Sequence, residues 1–176
     1  MNILITGAGK RIGKEIAINF AKNGATIILH YNHSKKEAEK TKKEISKYSR
    51  AILIKANLQN SKSVKKLFLT AKKKVGKIHH LINCASLFEN DDLLKFDEKN
   101  WDKHLNINAK APIILISHFA NQKSNSIDNL TVTNILDQRV FKLTPHFFSY
   151  TISKLILFNI TKTAAMRLAP KIRVNA

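Results

Sequence analysis

Thr6-Gly7-Ala8-Gly9-Lys10-Arg11-Ile12-Gly13 follows directly on the apolar run Ile3-Leu4-Ile5. An apolar strand that runs through a glycine turn into a helix decides the fold. Glycine serves such a junction in three ways: it permits a tight turn, lets a phosphate approach the backbone, and lets the helix pack closely on the strand. The helix start then presents free N–H groups and a partial positive charge, which suits the phosphates of a nucleotide. Turn glycines in a chain that binds nothing would give the same spelling. The strand-then-helix setting is what separates the two readings.

Outward from that turn, short isoleucine-rich runs alternate with amphipathic stretches. Strands are predicted at Asn2–Thr6, Thr26–Tyr31, Ala51–Lys55, Ile78–Asn83, Leu130–Leu136 and Ile172–Val174. Helices are predicted at Arg11–Asn23, Lys35–Lys47, Ser61–Lys74, about Asn100 to Asn121, and Phe147–Leu168. Gly24 and Gly76 fall just past two helix ends, and Ser61 fits an N-cap. The polar stretch Asn121–Asn129, with the region from Phe119 to Ser126, reads as loop. Strands apolar on both faces fit a parallel sheet covered by helices. Right-handed crossovers then predict an α/β, doubly wound parallel sheet, a Rossmann fold, with its crevice at the strands' carboxyl ends. A length of 176 residues with 44% hydrophobic content suits one domain over residues 1–176.

The formal charge of +19 ordinarily points to nucleic acid or an anionic membrane surface. Here 26 of the 31 basic residues are lysine, scattered over helix faces amid abundant Ile and Asn, as a bias toward AT-rich codons would produce. The densest run, Lys72-Lys73-Lys74, sits at a predicted helix end, where the dipole favours cations, and lacks the interleaved aromatics of a single-strand binder. No nucleic-acid partner is expected, and the charge serves instead to attract an anionic cofactor. The lone Cys84 excludes an intramolecular disulfide and suits a reducing cytoplasm. With no charged-then-apolar leader and no long apolar run, neither a signal peptide nor a membrane span is expected. The seven histidines show no metal-ligand spacing, so no metal site is expected.

Tyr150-Thr151-Ile152-Ser153-Lys154 places a phenol and an ammonium four residues apart, on one helix face. A tyrosine that titrates near ~10 is a poor acid or base at neutral pH; a neighbouring cation is expected to lower that value and make it usable. Such a pair also occurs on ordinary helix surfaces, and its company carries the reading.

With the glycine turn, this pair makes the chain resemble the short-chain dehydrogenase/reductase family. Asn83-Cys84-Ala85-Ser86 stands where the family usually has Asn-Asn-Ala-Gly, Asn108 stands at its catalytic asparagine, and Arg173-Val174-Asn175-Ala176 matches its late strand. The motifs run in the family's order from Asn2 to Ala176. Finer details resemble the pteridine reductase and dihydromonapterin reductase branch. Arg11 replaces a glycine of the first turn, Asp137 stands thirteen residues before Tyr150 where most members have serine, and Ser86-Leu87-Phe88 resembles the branch's Ser-x-Phe. His30-Tyr31-Asn32-His33-Ser34-Lys35 resembles the loop that receives an adenosine 2′-phosphate.

The resemblance implies an NADPH-dependent oxidoreductase acting on a dihydropterin or dihydrofolate C=N bond, with Asp137, Tyr150, Lys154 and Asn108 as the catalytic set. Thr6, Gly7, Gly9, Arg11, Ile12 and Gly13 would cradle the cofactor, with His33, Ser34 and Lys35 at its 2′-phosphate. Asn57 and Leu58 would meet adenine, although the family usually has aspartate at Asn57. Asn83, Ala85, Ser86, Tyr150 and Lys154 would complete the cofactor site. Arg11, Ser86, Phe88, Asp137 and Tyr150 would contact a small pterin-like substrate. Residue chemistry agrees on the cofactor: no carboxylate occurs from His30 to Lys36, where an NAD site usually places one. Phe88 as core, Asp137 as a turn cap and Asn108 as a solvated helix residue are the bland alternatives.

The family continues past the point matching Ala176 with a Pro-Gly turn, a substrate-covering segment, a strand and a last helix. The sheet is therefore expected to be incomplete at that edge, as a fragment or the product of a shortened or split gene would be. Three functions stay in view: the pterin reductase, a carbonyl (3-oxoacyl-type) reductase of the same family, and a remnant that at most binds nucleotide. The long helix and Phe147–Leu168, if built as in the family, would pair subunits of a homo-oligomer.

Overall fold

The computed structural model describes residues 1–123 and 129–176. Six strands form one parallel sheet: β1 Asn2–Ile5, β2 Thr26–Tyr31, β3 Ala51–Lys55, β4 His80–Asn83, β5 Leu130–Asn134 and β6 Ile172–Asn175. Their order is β3-β2-β1-β4-β5-β6, with Leu4 opposite both Ile28 and Leu81. The order reverses between β1 and β4, which puts the crevice of a doubly wound sheet at their carboxyl ends. Helices α1 Arg11–Lys22, α2 Lys35–Ile45, α3 Ser61–Val75, α4 Glu98–Leu105, α5 Ala111–Ala120 and α6 Phe148–Leu168 cover the two faces.

Strand alternation builds two cores. Ile3, Ile5, Ile27, Leu29 and Ile82 pack with Ala17, Ile18 and Ala21 of α1. Leu4, Ile28, Leu81 and Val132 point the other way, onto Leu67 and Phe68 of α3 and Leu115 and Phe119 of α5. β1, β2 and β4 are thus buried on both sides, the condition that a near-continuous apolar run anticipates. The edge strand β6 alternates instead, with Ile172 and Val174 buried and Arg173 and Asn175 exposed.

Several boundaries differ from the sequence pattern. Asn60, not Ser61, caps α3, its side chain accepting the N–H of Ser63 at 3.0 Å. β5 stops at Asn134, whose side chain turns inward to Asn83 and Thr161. Phe119 is not loop: it is fully buried in the last turn of α5. The rest of the predicted loop lies partly outside the described residues. The long predicted helix is interrupted by a π-turn, Asn106–Lys110, the kind of bulge that re-aims a side chain at a functional site. Gly24 and Gly76 take positive φ of 77° just past α1 and α3, as their positions suggest.

Two glycines can be tested against each other. A Cβ on Gly24 would meet nothing within 4 Å, so Gly24→Ala carries only left-handed strain, about 1 kcal/mol. A Cβ on Gly13 would overlap the carbonyl oxygen of Gly7, and Gly13→Ala should cost at least about 2 kcal/mol more. Denaturant unfolding of the two variants checks the order; equal losses would contradict it.

Candidate active site

The glycine turn is held from three sides. Thr6, at the end of β1, accepts the N–H groups of both Cys84 and Ala85 on its hydroxyl at 3.0 Å, tying β1 to β4. Thr41 of α2 donates to the Gly9 carbonyl at 3.0 Å. His30, buried near the end of β2, accepts the Gly7 N–H on Nδ1 at 3.1 Å, so Nε2 carries the proton and donates to the Ala56 carbonyl at 3.1 Å. Burial pushes the His30 imidazole down to about 4, which keeps this tautomer neutral. The sequence pattern singled out neither Thr41 nor the bridging role of His30; the one signal was a histidine directly after Ile27-Ile28-Leu29.

Above the turn lies a cleft of about 590 Å³. Gly7, Arg11, Ile12, Gly13, His33, Ser34, Leu58, Ala85, Ser86, Phe88, Asp137, Tyr150 and Lys154 all line it. No side chain caps α1, so its first N–H groups stay free where Arg11, Ile12 and Gly13 form the wall. Arg11 has φ 54°, a left-handed conformation that explains why glycine is usual there in the family.

Other expected residues stand back from this wall. Thr6 and Gly9 do not line the cleft: Thr6 turns to Cys84 and Ala85, and Gly9 packs against Ser34 and Ala38 at α2. Lys35 extends to Glu39 in an exposed ion pair at 3.7 Å. Asn57 folds onto its own turn, accepting from the Gln59 N–H at 2.9 Å. Asn83 is buried and donates to Asn134 at 2.8 Å, which in turn donates to Thr161.

Asn108, buried in the π-turn, is a clamp. Its side-chain oxygen accepts the Leu87 N–H at 2.8 Å and the Ser86 hydroxyl at 3.3 Å, and its amide donates to the Leu87 carbonyl and the Ser153 hydroxyl at 2.9 Å. It thereby joins the wall loop after β4 to α6. His104, fully buried, repeats the tie: Nε2 accepts the Glu89 N–H at 3.2 Å, so Nδ1 donates to the Ser149 hydroxyl at 2.6 Å. Asp91 accepts the Ser149 N–H on its carboxylate at 3.1 Å and holds the start of α6. Neither His104 nor Asp91 has a sequence signature.

On α6 the four-residue spacing does bring Tyr150 and Lys154 to one place. The Tyr150 phenol donates to Asp137 Oδ2 at 2.7 Å, and the Arg139 N–H donates to Oδ1 at 2.9 Å. Lys154 donates to the Ile135 carbonyl at 2.9 Å, its nitrogen 5.8 Å from the Tyr150 ring centre. The expectation that Lys154 lowers the phenol's pKa is not met. Burial, then the hydrogen bond and charge of Asp137, hold Tyr150 well above its ordinary value. The ammonium is turned to a carbonyl, and the carboxylate favours the proton staying on the phenol. Burial brings Lys154 down to about 8. Burial also raises the Asp137 carboxyl, but the Arg139 N–H, the phenol and the charges of Arg139 and Lys154 outweigh it and hold it below the usual range.

Phe88 meets Tyr150 edge-on at 4.6 Å between ring centres, and one of its faces is stacked on Phe147 at 4.3 Å. Among the described residues no three His, Cys, Asp or Glu side chains converge as metal ligands, and no helix is long and apolar enough to cross a membrane.

Comparison with known proteins agrees with this fold. The family model for short chain dehydrogenases matches residues 1–176. The chain belongs to the short-chain dehydrogenase family. Among its relatives is a short-chain type dehydrogenase/reductase of Picea abies, 29% identical over 174 residues, which cover 94% of this chain and 64% of that protein. The 3-oxoacyl-[acyl-carrier-protein] reductase FabG of Staphylococcus epidermidis is 30% identical, over 98% of this chain and 71% of its own. Among solved structures, FolM alternative dihydrofolate reductase 1 from Brucella canis, complexed with NADP, superposes with a TM-score of 0.93 at 40% identity. That match covers 99% of this chain and 71% of the other. The chain thus spans roughly two thirds of the length of these family members.

His30 makes the turn pH-sensitive. An imidazole held at about 4 when folded, against about 6.5 when unfolded, gives stability that is complete above pH 6.5 and lost as pH falls toward 4. The loss should be about 3 kcal/mol. It is checked by denaturant midpoints from pH 7.5 to 4, with His30→Gln flattening that slope.

Proposed function

We propose that the chain is an NADPH-dependent reductase of a dihydropterin-type C=N bond, built on a single dinucleotide-binding domain over residues 1–176. The observation that carries this reading is the Asp137–Tyr150 hydrogen bond at 2.7 Å beside the Phe88 ring. A carboxylate replaces the family's usual serine there. The 40% identity to the Brucella dihydrofolate reductase supports the same branch.

The residues fit a dinucleotide. The turn has no room for side chains at Gly7 or Gly13, and the free N–H groups of α1 stand at the cleft, ready for a pyrophosphate. Arg11, His33 and Ser34 would meet a 2′-phosphate, with Lys35 able to swing from its exposed partner, and this favours NADPH over NADH. Leu58 and Asn57 would flank adenine. Asn83, Ala85 and Ser86 would border the nicotinamide end, and Lys154 would hold its ribose. When bound, the cofactor supplies a hydride.

The chain's own groups then manage the proton. Tyr150 stays protonated at neutral pH and lines the cleft; its one O–H is held by Asp137 and would turn from that carboxylate to protonate a substrate nitrogen. Asp137 is ionised, so it orients the phenol and gives up no proton itself; the proton that Tyr150 passes on is replaced from solvent water. Asn108 fixes Ser86 and the backbone of Leu87 relative to α6, and Phe88 offers a ring face to a planar substrate. A 3-oxoacyl substrate is the second reading, supported by the similarity to the Staphylococcus reductase; Asp137 argues against it. A nucleotide-binding chain without turnover is the third.

Calorimetric titration with NADPH and NADH, followed by NADPH oxidation with a dihydropterin or a 3-oxoacyl thioester, separates these readings. NADPH should bind at micromolar concentration and clearly more tightly than NADH. Turnover is expected with the dihydropterin, falling at least about 100-fold in Tyr150→Phe. Turnover of the thioester alone would favour the second reading. Tight NADPH binding with no turnover would favour the third.

A further inference from the structure

Arg139 lies two residues beyond Asp137, in a single 3-10 turn over Gln138–Val140. Its guanidinium carbon stands 4.7 Å from the ring centre of Phe147, 5.2 Å from Phe88 and 5.8 Å from Tyr150. Phe88 and Phe147 are parallel to within 2°, so the cation is set against an ordered aromatic wall. Phe147 is placed there by a left-handed backbone, φ 58°, and by donating its N–H to Asn90 at 3.3 Å. The wall exists because the loop after β4 caps α6.

Among the described residues this guanidinium forms no ion pair, and its buried Nε–H has no acceptor. Asp137, the carboxylate nearest in sequence, is already committed to the Tyr150 phenol and to the backbone N–H of Arg139. Burying a charged donor without an acceptor is costly, and such groups persist where a ligand provides one. Phe88 and Tyr150 line the cleft, and the guanidinium, which does not line it, stands 5.2 and 5.8 Å from their ring centres. With both Asp137 oxygens engaged, the Arg139 Nε–H is the donor left unmatched beside those rings.

We infer that Arg139 is a specificity-determining residue that receives an oxygen bearing full or strong partial negative charge on a planar substrate. This rests on the pterin reductase reading and names what that site selects. The oxygen is either the ring oxo group of a dihydropterin or the carboxylate tail of a dihydrofolate. A planar fork held against aromatic rings matches either, whereas lysine would offer only a point charge.

The test is calorimetric titration of the 176-residue chain, saturated with NADP+, with dihydrobiopterin and with dihydrofolate. Arg139→Met should weaken substrate binding about 10- to 100-fold while NADP+ affinity stays within about threefold. Arg139→Lys, a gentler change, should recover only part of the loss. Equal losses for both substrates assign the ring oxygen; a loss confined to dihydrofolate assigns the tail. Unchanged substrate affinity in Arg139→Met overturns the inference, as does a parallel loss of NADP+ affinity in both variants. If the parent chain binds NADP+ but neither pterin, the pterin reading itself fails and takes this inference with it. A parent chain that binds none of the three sinks the cofactor assignment as well.

Discussion

The carboxyl ends of β1 and β4 approach so closely that a Cβ on Gly7 would stand 2.8 Å from the Ala85 Cα, and the rest of the site is arranged around that approach. A parallel sheet leaves unpaired N–H and C=O groups where its strands end, and buried ones need partners. Thr6 and His30 satisfy part of that need with single side chains, each spanning two strand ends. The turn is consequently anchored from the side away from the cleft. That leaves its backbone, and the uncapped start of α1, facing the cleft.

The second half of the site depends on buried polar clamps. Asn108 and His104 both connect the loop after β4 to α6, so the wall bearing Ser86 and Phe88 moves with the helix bearing Tyr150 and Lys154. A buried amide with four satisfied contacts is costly to displace, because any shift leaves a donor or acceptor without water. The π-turn is what points Asn108 at this junction. Electrostatics then follow from burial: a desolvated phenol beside an ionised carboxylate keeps its proton, and a desolvated lysine gives part of its proton affinity up.

Much of the fold was legible. The inner strands β1, β2 and β4 followed from apolar runs, because a parallel strand buried on both faces has no polar side to disguise it. The junction of β1 and α1 followed from the spacing of Gly7, Gly9 and Gly13. Tyr150 and Lys154 followed from the helical period, which guarantees a shared face over four residues. The phenol's proton affinity did not follow, since it depends on Asp137 accepting the hydrogen bond and on Lys154 turning to Ile135. Asn60 displaced Ser61 as the cap of α3 because either residue type can serve and only the backbone path chooses. Phe119 was hidden for a similar reason: an aromatic before a polar stretch fits a helix end and a loop equally well.

By itself the sequence determined what is local or periodic: the glycine turn, the alternation of strand and helix, and the membership of a family whose motifs occur in fixed order. The tertiary structure alone decided which side chains meet across long separations. His30 reaching Gly7 and Ala56, His104 bridging Glu89 and Ser149, and Arg139 lodged against Phe88, Phe147 and Tyr150 all join residues from different elements. Their roles come from burial and directed hydrogen bonds, which arise only when those elements pack, and no spacing along the chain encodes them.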